Sequence, residues 1–362
     1  KQKRVGLSAN LSYKNGSLNL NAALIENQRS YNSSYPAEYR ARALNFDLFN
    51  KLVFRHQWHT IMGLKFGSSE MESYMIPYGA SNLQKDISRE MANDISLDYY
   101  LNLVYTSTSG FNFNGGVRLN HHSTYNHYLV YSLNPSYSFR VNNQFGKLTA
   151  SYSTAFITPS LYQLYAPLYG NNLLTPQRDA TLEVGLEVRN PDSFELNLTL
   201  FRRFQNDFID YMITNPETFE GRYKNLSTES RVQGLEFEFR YVGIKKLNMD
   251  INYAFTESKA KQLFRIPKHK INFNASFEMT KKMDLSLDFQ FNGQRKSPQT
   301  LSSIPITLDA YRLVHIGCRY LFFDDQLTVF ANVFNVFDEN YQEIYRYTTL
   351  GRNFRLGVKF DF

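Results

Sequence analysis

One cysteine, Cys318, and one tryptophan occur in 362 residues. A lone cysteine excludes an intrachain disulfide and a cysteine-based zinc centre. The chain also lacks any uninterrupted apolar stretch of about 18 residues, the length that a membrane-spanning helix needs, although 43% of its residues are hydrophobic. A helical membrane protein is therefore excluded. Neither sign of charge dominates: 40 Lys and Arg stand against 33 Asp and Glu, a net +7. The basic residues are dispersed along polar faces and turns rather than gathered in a stripe, so no nucleic acid is expected as partner. No apolar segment follows the basic start Lys1-Gln2-Lys3-Arg4, and no signal-peptide pattern is read there.

What the chain has in abundance is aromatic residues, 26 Tyr and 30 Phe, with 20% charge. That mixture is too rich in aromatics for disorder. The hydrophobic period then sets the class. In Asn353-Phe354-Arg355-Leu356-Gly357-Val358-Lys359-Phe360-Asp361-Phe362 every even position is apolar. Met283–Asn292, Leu247–Tyr253 and Leu235–Tyr241 alternate in the same way. Period two gives each strand one apolar and one polar face. No segment has a convincing period of 3.6, so the chain reads as all-β.

The spacing predicts about seventeen strands, near 4–14, 17–30, 38–49, 52–66, 93–107, 110–122, 128–141, 146–156, 178–189, 193–206, 230–242, 246–258, 268–280, 283–295, 308–321, 326–335 and 353–362. Tight links such as Asn15-Gly16, Ser109-Gly110, Asn190-Pro191-Asp192 and Thr280-Lys281-Lys282 alternate with long ones near 67–92, 157–177, 207–229, 259–267, 296–307 and 336–352. Asn-Gly is a strong two-residue hairpin signal. Short and long links in alternation mark a transmembrane antiparallel up-and-down β-barrel, with short turns in the periplasm and long loops outside. Ten residues at about 3.3 Å, tilted about 45°, span roughly 23 Å of apolar thickness. A closed barrel also removes the unpaired edges that lipid cannot satisfy. The expected location is the bacterial outer membrane, in contact with its lipid.

Several segments resemble the TonB-dependent outer-membrane receptor family. Ser153-Thr154-Ala155-Phe156-Ile157-Thr158-Pro159-Ser160-Leu161-Tyr162-Gln163-Leu164-Tyr165 is similar to that family's strand-to-loop signature. Gly170-Asn171-Asn172-Leu173-Leu174-Thr175-Pro176-Gln177 continues it, with Gln177 where the family usually has Glu. Gln233-Gly234-Leu235-Glu236, Asn332-Val333-Phe334-Asn335-Val336-Phe337-Asp338-Glu339-Asn340-Tyr341 and Gly351-Arg352 before the last strand match in order. Gly116–Ser123, before Leu133-Asn134-Pro135, most resembles the cobalamin (vitamin B12) receptor branch. The resemblance implies a 22-stranded barrel plugged by an N-terminal domain, the plug presenting a short segment to TonB. It also implies uptake of a large, scarce nutrient, a corrinoid first, with a siderophore or haem as the alternative within the family. A passive porin-like or structural barrel is the alternative outside it. Single-chain bacterial barrels have even strand numbers, whereas seventeen is odd. Residues 1–362 are accordingly expected to be the C-terminal part of a larger barrel, its plug and first strands absent; a miscounted strand near 208–229 is the other explanation of the parity. Phe362 resembles the terminal aromatic that the barrel-assembly machinery recognises.

Chemistry narrows to the loops. Tyr74, Tyr78, Tyr162, Tyr165, Tyr169, Tyr223 and Tyr345, with Asn171 and Asn172, are the candidate ligand contacts. Aromatic rings with a polar tip grip a large, partly apolar ligand at low entropic cost. Tyrosines at strand ends read instead as the interfacial girdle. Catalysis is not expected: His122, Ser123 and Asn126 could suggest a hydrolytic trio, but adjacent strand residues point to opposite faces. His121, His122 and His127 cluster at one loop and read as solvated histidines rather than ligands of haem iron or a metal. Glu70, Glu72, Asp86, Glu90 and Asp94 flank the loop 67–92 without the tight spacing of a calcium site. No cofactor is expected. Arg240, Arg355 and Lys359 alternate with Glu236, Glu238 and Asp361 on the polar face, and Cys318 falls on the apolar one.

Overall fold

The computed structural model describes residues 1–361 apart from 78, 216, 219, 227, 228, 260–262, 300, 301, 324 and 325. Tyr78 and Phe362 therefore lie outside the described residues. The elements in order are β1 (Gln2–Tyr13), β2 (Gly16–Tyr31), β3 (Ala37–Phe54), β4 (Trp58–Met75), β5 (Gln84–Ile87), β6 (Asn93–Thr106), β7 (Phe111–His122), β8 (Asn126–Val141), β9 (Gln144–Ile157), α1 (Leu161–Tyr165), β10 (Gln177–Asn190) and β11 (Phe194–Asn206). They continue with β12 (Phe208–Asn215), β13 (Glu220–Leu226), β14 (Ser230–Ile244), β15 (Leu247–Lys259), β16 (His269–Thr280), β17 (Met283–Asn292), β18 (Arg295–Gln299), β19 (Ser302–Leu308), β20 (Tyr311–Phe322), β21 (Leu327–Phe334) and β22 (Asn353–Phe360). No helix among the described residues is long and apolar enough to cross a membrane.

The chain divides into two compact units. Lys1–Ser136, Ser151–Leu182 and Phe204–Ser230 form the first; Tyr137–Ala150, Glu183–Arg203 and Arg231–Phe362 form the second. In the first unit, neighbouring strands pair antiparallel so that Ala9, Leu20, Leu48, Leu64, Tyr99 and Leu119 stand in one row across β1, β2, β3, β4, β6 and β7. One residue along each strand, the opposite face carries the row Ser8, Asn21, Asp47, Lys65, Asp98 and Asn120. The second unit repeats the device. Phe239, Ile251, Phe273, Phe289 and Val314 share one row, and Arg240, Asp250, Asn274, Asp288 and His315 share a row of the other face.

Period two in the sequence has thus become one apolar and one polar face. The apolar face has little covering it: Leu356 is 77% and Phe354 74% exposed. Contiguous apolar surface on that scale marks contact with an apolar partner rather than with water. Cys318 stands on this face, in register with Leu285 and Ala331. On the polar face Arg240 Nε donates to Asp250 at 2.8 Å. Packed cores are small and local. Ile87, Ala92, Leu164, Ala166 and Leu174 are buried in the first unit, and Leu308, Tyr311 and Leu313 in the second.

All seventeen expected strands are present, as β1–β4, β6–β11, β14–β17 and β20–β22. Two turns differ. The link expected at residues 50–51 is continuous strand, and β3 turns instead at Arg55-His56, both at positive φ, 51° and 54°. Positive φ at two adjacent positions matches the twist of a tight hairpin but normally calls for Gly or Asn. At the first hairpin Tyr13 pairs with Gly16, so Lys14-Asn15 is the turn rather than Asn15-Gly16. Gly16 serves close approach: a Cβ there would lie 2.0 Å from the Lys51 carbonyl oxygen. The region near 208–229 holds two strands, the hairpin β12–β13, in place of one miscounted strand. β18–β19 is a second such hairpin.

Candidate functional site

The loop between β9 and β10 begins with a stop signal. Ser160 caps α1, its hydroxyl accepting from Gln163 N at 3.2 Å, while Gln163 Oε1 accepts from Ser160 N at 2.8 Å. This reciprocal pair satisfies two amide donors that a helix start leaves open. The helix is five residues long, after which the chain folds back. Gly170 N donates to Ala166 O at 2.7 Å and Asn171 N to Gln163 O at 2.8 Å. A Cβ on Gly170 would lie 2.6 Å from both Ala166 N and Ala166 O, so the fold-back requires glycine. Leu164, Ala166 and Leu174 are buried beneath it, whereas Leu168 is 66% and Leu173 82% exposed at the tip.

Hairpin β12–β13 holds this loop from the side. Tyr223 N donates to Tyr169 O at 3.0 Å, and Asn171 Nδ2 donates to Tyr223 O at 2.9 Å. Asn225 Oδ1 accepts from Thr175 N, and its Nδ2 donates to Thr175 O, both at 2.8 Å. Asparagine side chains here copy the pairing of a β-ladder. The same Asn225 amide reaches Asp207 O at 2.7 Å, which ties the hairpin to the end of β11.

The tyrosines collect on this frame. Tyr169 meets Tyr211 edge-on with ring centroids 5.8 Å apart, and Tyr211 meets its cross-strand partner Tyr223 at 5.5 Å. Gly221 gives the Tyr211 ring room to lie across the hairpin, since a Cβ there would be 2.5 Å from it. Tyr162 meets Tyr39 at 5.9 Å, and Tyr39 meets Tyr31 at 5.9 Å. Burial first, and then the neighbouring phenols of Tyr39, Tyr223 and Tyr169, push the Tyr162 phenol well above its usual range. Burial, with Tyr165 and Tyr128 nearby, pushes Tyr125 up to about 12. Its hydroxyl donates to Leu174 O at 3.2 Å. Neutral phenols so arranged present apolar ring edges together with hydroxyl donors and acceptors.

Of the residues expected to touch ligand, Tyr162, Tyr169, Asn171 and Tyr223 come together, Tyr165 lies beside Tyr125, and Asn172 is exposed next to Asn171. Tyr74 is elsewhere, under cations: Arg40 lies 4.9 Å and Lys85 Nζ 5.6 Å from its ring centroid. Tyr345 belongs to the second unit, where Arg346 lies 5.2 Å from its ring. Tyr211 is a loop tyrosine in the sequence but is not among the expected contacts, and Tyr39, Tyr125 and Asn225 are not singled out there as contacts. Tyr39 sits within a strand, and the other three gain meaning only through tertiary contact.

Four of the groups weighed for other chemistries, Glu72, Asp86, His122 and Ser123, are engaged by protein groups. Glu72 is flanked by Arg40, Lys85 and Arg89, each 3.3–3.4 Å away, so guanidinium and ammonium groups occupy its oxygens. Asp86 accepts from Ser73 at 2.6 Å. His122 Nδ1 accepts from Thr124 N, and Ser123 Oγ accepts from Ile95 N, both at 3.1 Å. In the second unit the Asn-rich segment after β21 is a clasp: Asn335 Oδ1 accepts from Glu339 N at 2.8 Å, and Asp338 Oδ1 accepts from Arg352 N at 2.7 Å. Gln177 donates to Asp179 at 2.8 Å, both buried. An ionised Glu, the residue that the resemblance implies at this position, has no proton to donate in this hydrogen bond.

Comparison with known proteins fits this geometry. The family described as TonB dependent receptor-like, beta-barrel matches residues 2–336. The Vitamin B12 transporter BtuB of Vibrio cholerae serotype O1 is 32% identical over 226 residues, covering 60% of this chain and 35% of that protein. The iron-regulated outer membrane virulence protein of the same species is 22% identical over 335 residues, covering 80% of this chain and 49% of that one. The chain thus spans from about a third to about half the length of these relatives. Among solved structures, the siderophore receptor PirA from Acinetobacter baumannii superposes with a TM-score of 0.75 at 16% identity, covering 100% of this chain and 62% of that one. The copper transporter OprC superposes with a TM-score of 0.76 at 16% identity, covering 100% and 66%. At such identity these two structures speak for the fold alone. With the family match extending over nearly the whole chain, this all-β, up-and-down antiparallel chain belongs to the TonB-dependent receptor β-barrel family, outer-membrane receptors and transporters rather than enzymes.

Proposed function

We propose that these strands form the C-terminal part of the barrel of a complete receptor that takes up a corrinoid with energy supplied through TonB. In that receptor a plug domain and further strands complete the barrel, and the plug carries the contact to TonB. The proposed ligand contacts are Tyr162, Tyr165, Tyr169, Asn171, Asn172 and Tyr223, joined by Tyr39 and Tyr211, with Tyr74 and Tyr345 as separate outer contacts. A corrinoid is large and partly apolar with an amide-bearing rim, and tyrosine rings beside asparagine amides offer complementary groups. The observation that carries the corrinoid reading is the 32% identity to a vitamin B12 transporter over 226 residues. Exposure of Leu168 and Leu173 beside Tyr169 supports contact with an apolar ligand face.

Titration of the complete, detergent-purified receptor with cyanocobalamin, haem and ferric siderophores tests this reading. Saturable binding of cyanocobalamin, with the others at least a hundredfold weaker, is the expected outcome. Preference for a ferric siderophore would move the protein to the iron branch of the family, and binding of none would favour a passive barrel.

A further inference from the structure

The β7–β8 hairpin ends in a feature that the ligand loop does not use. His121 and His127 flank its turn with ring centroids 4.5 Å apart and planes inclined by 32°. His121 is the register partner of Leu97 and follows Val117 and Leu119 on the apolar face. His127 precedes Leu129 and Tyr131 by even steps, and those residues are 61% and 39% exposed. Both imidazoles therefore stand at the end of the same face, and both are exposed. Among the described residues neither ring makes a hydrogen bond or an ion pair, so all four ring nitrogens are open. His122 differs. It is 7% exposed, lies one residue along on the polar face, and spends Nδ1 on the amide of Thr124.

We propose that His121 and His127 form a two-imidazole site for a divalent transition ion of the copper, nickel and zinc group. Metal–imidazole bonds of about 2.0–2.1 Å bring two donor nitrogens to within roughly 3 Å of each other, a separation that rings already this close reach by side-chain rotation. Neutral imidazole selects borderline ions, and affinity rises from nickel to copper. Calcium and magnesium prefer oxygen. With two protein ligands, the remaining coordination positions belong to water. The ion would clamp the hairpin whose turn carries Tyr125, and Tyr125 holds Leu174 of the β9–β10 loop.

The test is calorimetric titration of the complete receptor in detergent with Cu²⁺, Ni²⁺, Zn²⁺ and, as control, Ca²⁺. His121→Ala and His127→Ala should each weaken Ni²⁺ binding at least tenfold, whereas His59→Ala should leave it unchanged. Heat-modifiable mobility on gels reports whether each variant has folded. Electron paramagnetic resonance of the Cu²⁺-loaded wild type should show two equatorial nitrogens, a readout that needs no variant. Undiminished Ni²⁺ binding by the double variant, absence of binding by the wild type, or a copper spectrum with oxygen ligands alone would overturn the proposal.

Discussion

The side-chain amide of Asn171 donates to the carbonyl of Tyr223 at 2.9 Å, joining two segments 52 residues apart in sequence. Tyr223 returns the contact through its own amide, which donates to Tyr169 O at 3.0 Å. The loop that bears Tyr169 is thereby held by the hairpin that bears Tyr211 and Tyr223, and the three rings keep a fixed relation before any ligand arrives. Such preorganisation lowers the ordering cost of binding.

Removing that tether should be felt in binding before it is felt in folding. Asn171→Ala deletes two hydrogen bonds, the partly buried one to Tyr223 O and the exposed one that Asn171 Oδ1 accepts from Leu173 N, a loss of about 1–2 kcal/mol. The barrel should unfold at an unchanged temperature, while protease cleavage between residues 166 and 176 should accelerate several-fold. Cleavage at the wild-type rate would mean that the loop is held by other contacts.

Gln177 and Asp179 make a second sharp case. Gln177→Glu restores the residue usual in the family but sets a carboxylate against buried Asp179. The Gln177–Asp179 hydrogen bond is lost and two like charges are brought together, at a cost of about 1–3 kcal/mol. The heat-modifiable transition of the complete receptor should fall, and Asp179→Asn in the same chain should restore it. A variant as stable as wild type would show that the Gln177–Asp179 hydrogen bond contributes nothing to stability.

The last strand tests the orientation of the faces. Val358 is 65% exposed on the apolar row with Leu356 and Phe360, and Lys359 is paired with Asp361 at 2.8 Å on the other face. Arginine near the bilayer midplane of a lipid-facing row costs roughly 2–4 kcal/mol. Val358→Arg should sharply reduce the folded, heat-modifiable form, and Lys359→Arg should be close to silent. Equal tolerance of the two would mean that this face does not meet lipid.

Loop sidedness is accessible in intact cells. Cysteine at Leu173, the 82% exposed tip of the β9–β10 loop, should react with a membrane-impermeant maleimide, and cysteine at Ser109 or Lys281 in the short turns should not. Labelling of the short turns with silence at position 173 would invert the topology.

The strands were legible because a sheet with lipid on one side and polar surroundings on the other demands strict alternation, and Phe354 to Phe360 or Met283 to Asn292 show it without interruption. The turn at Arg55-His56 was not legible, because neither residue type advertises a positive φ. Nor was α1: five residues hold too little of a helical period, though Ser160 and Gln163 at capping-box spacing were there to be read. Hairpin β12–β13 was hidden because its covered face, Gly221, Tyr223 and Asn225, meets a loop through residues that give no apolar alternation, while Asp210, Arg222 and Lys224 are exposed. The site was legible in part. Tyr162 and Asn171 lie in the segments that resemble the family, with Tyr169 between them, whereas Tyr39 and Tyr211 join them only through tertiary proximity.

In the proposed receptor the β9–β10 loop and hairpin β12–β13 together present the ligand surface. Equilibrium titration of the complete receptor with cyanocobalamin, run in parallel on wild type, Tyr162→Ala, Tyr169→Ala and Tyr223→Ala, tests it most directly. Each variant should lose at least tenfold in affinity with the heat-modifiable transition unchanged. Wild-type affinity in all three variants would contradict it.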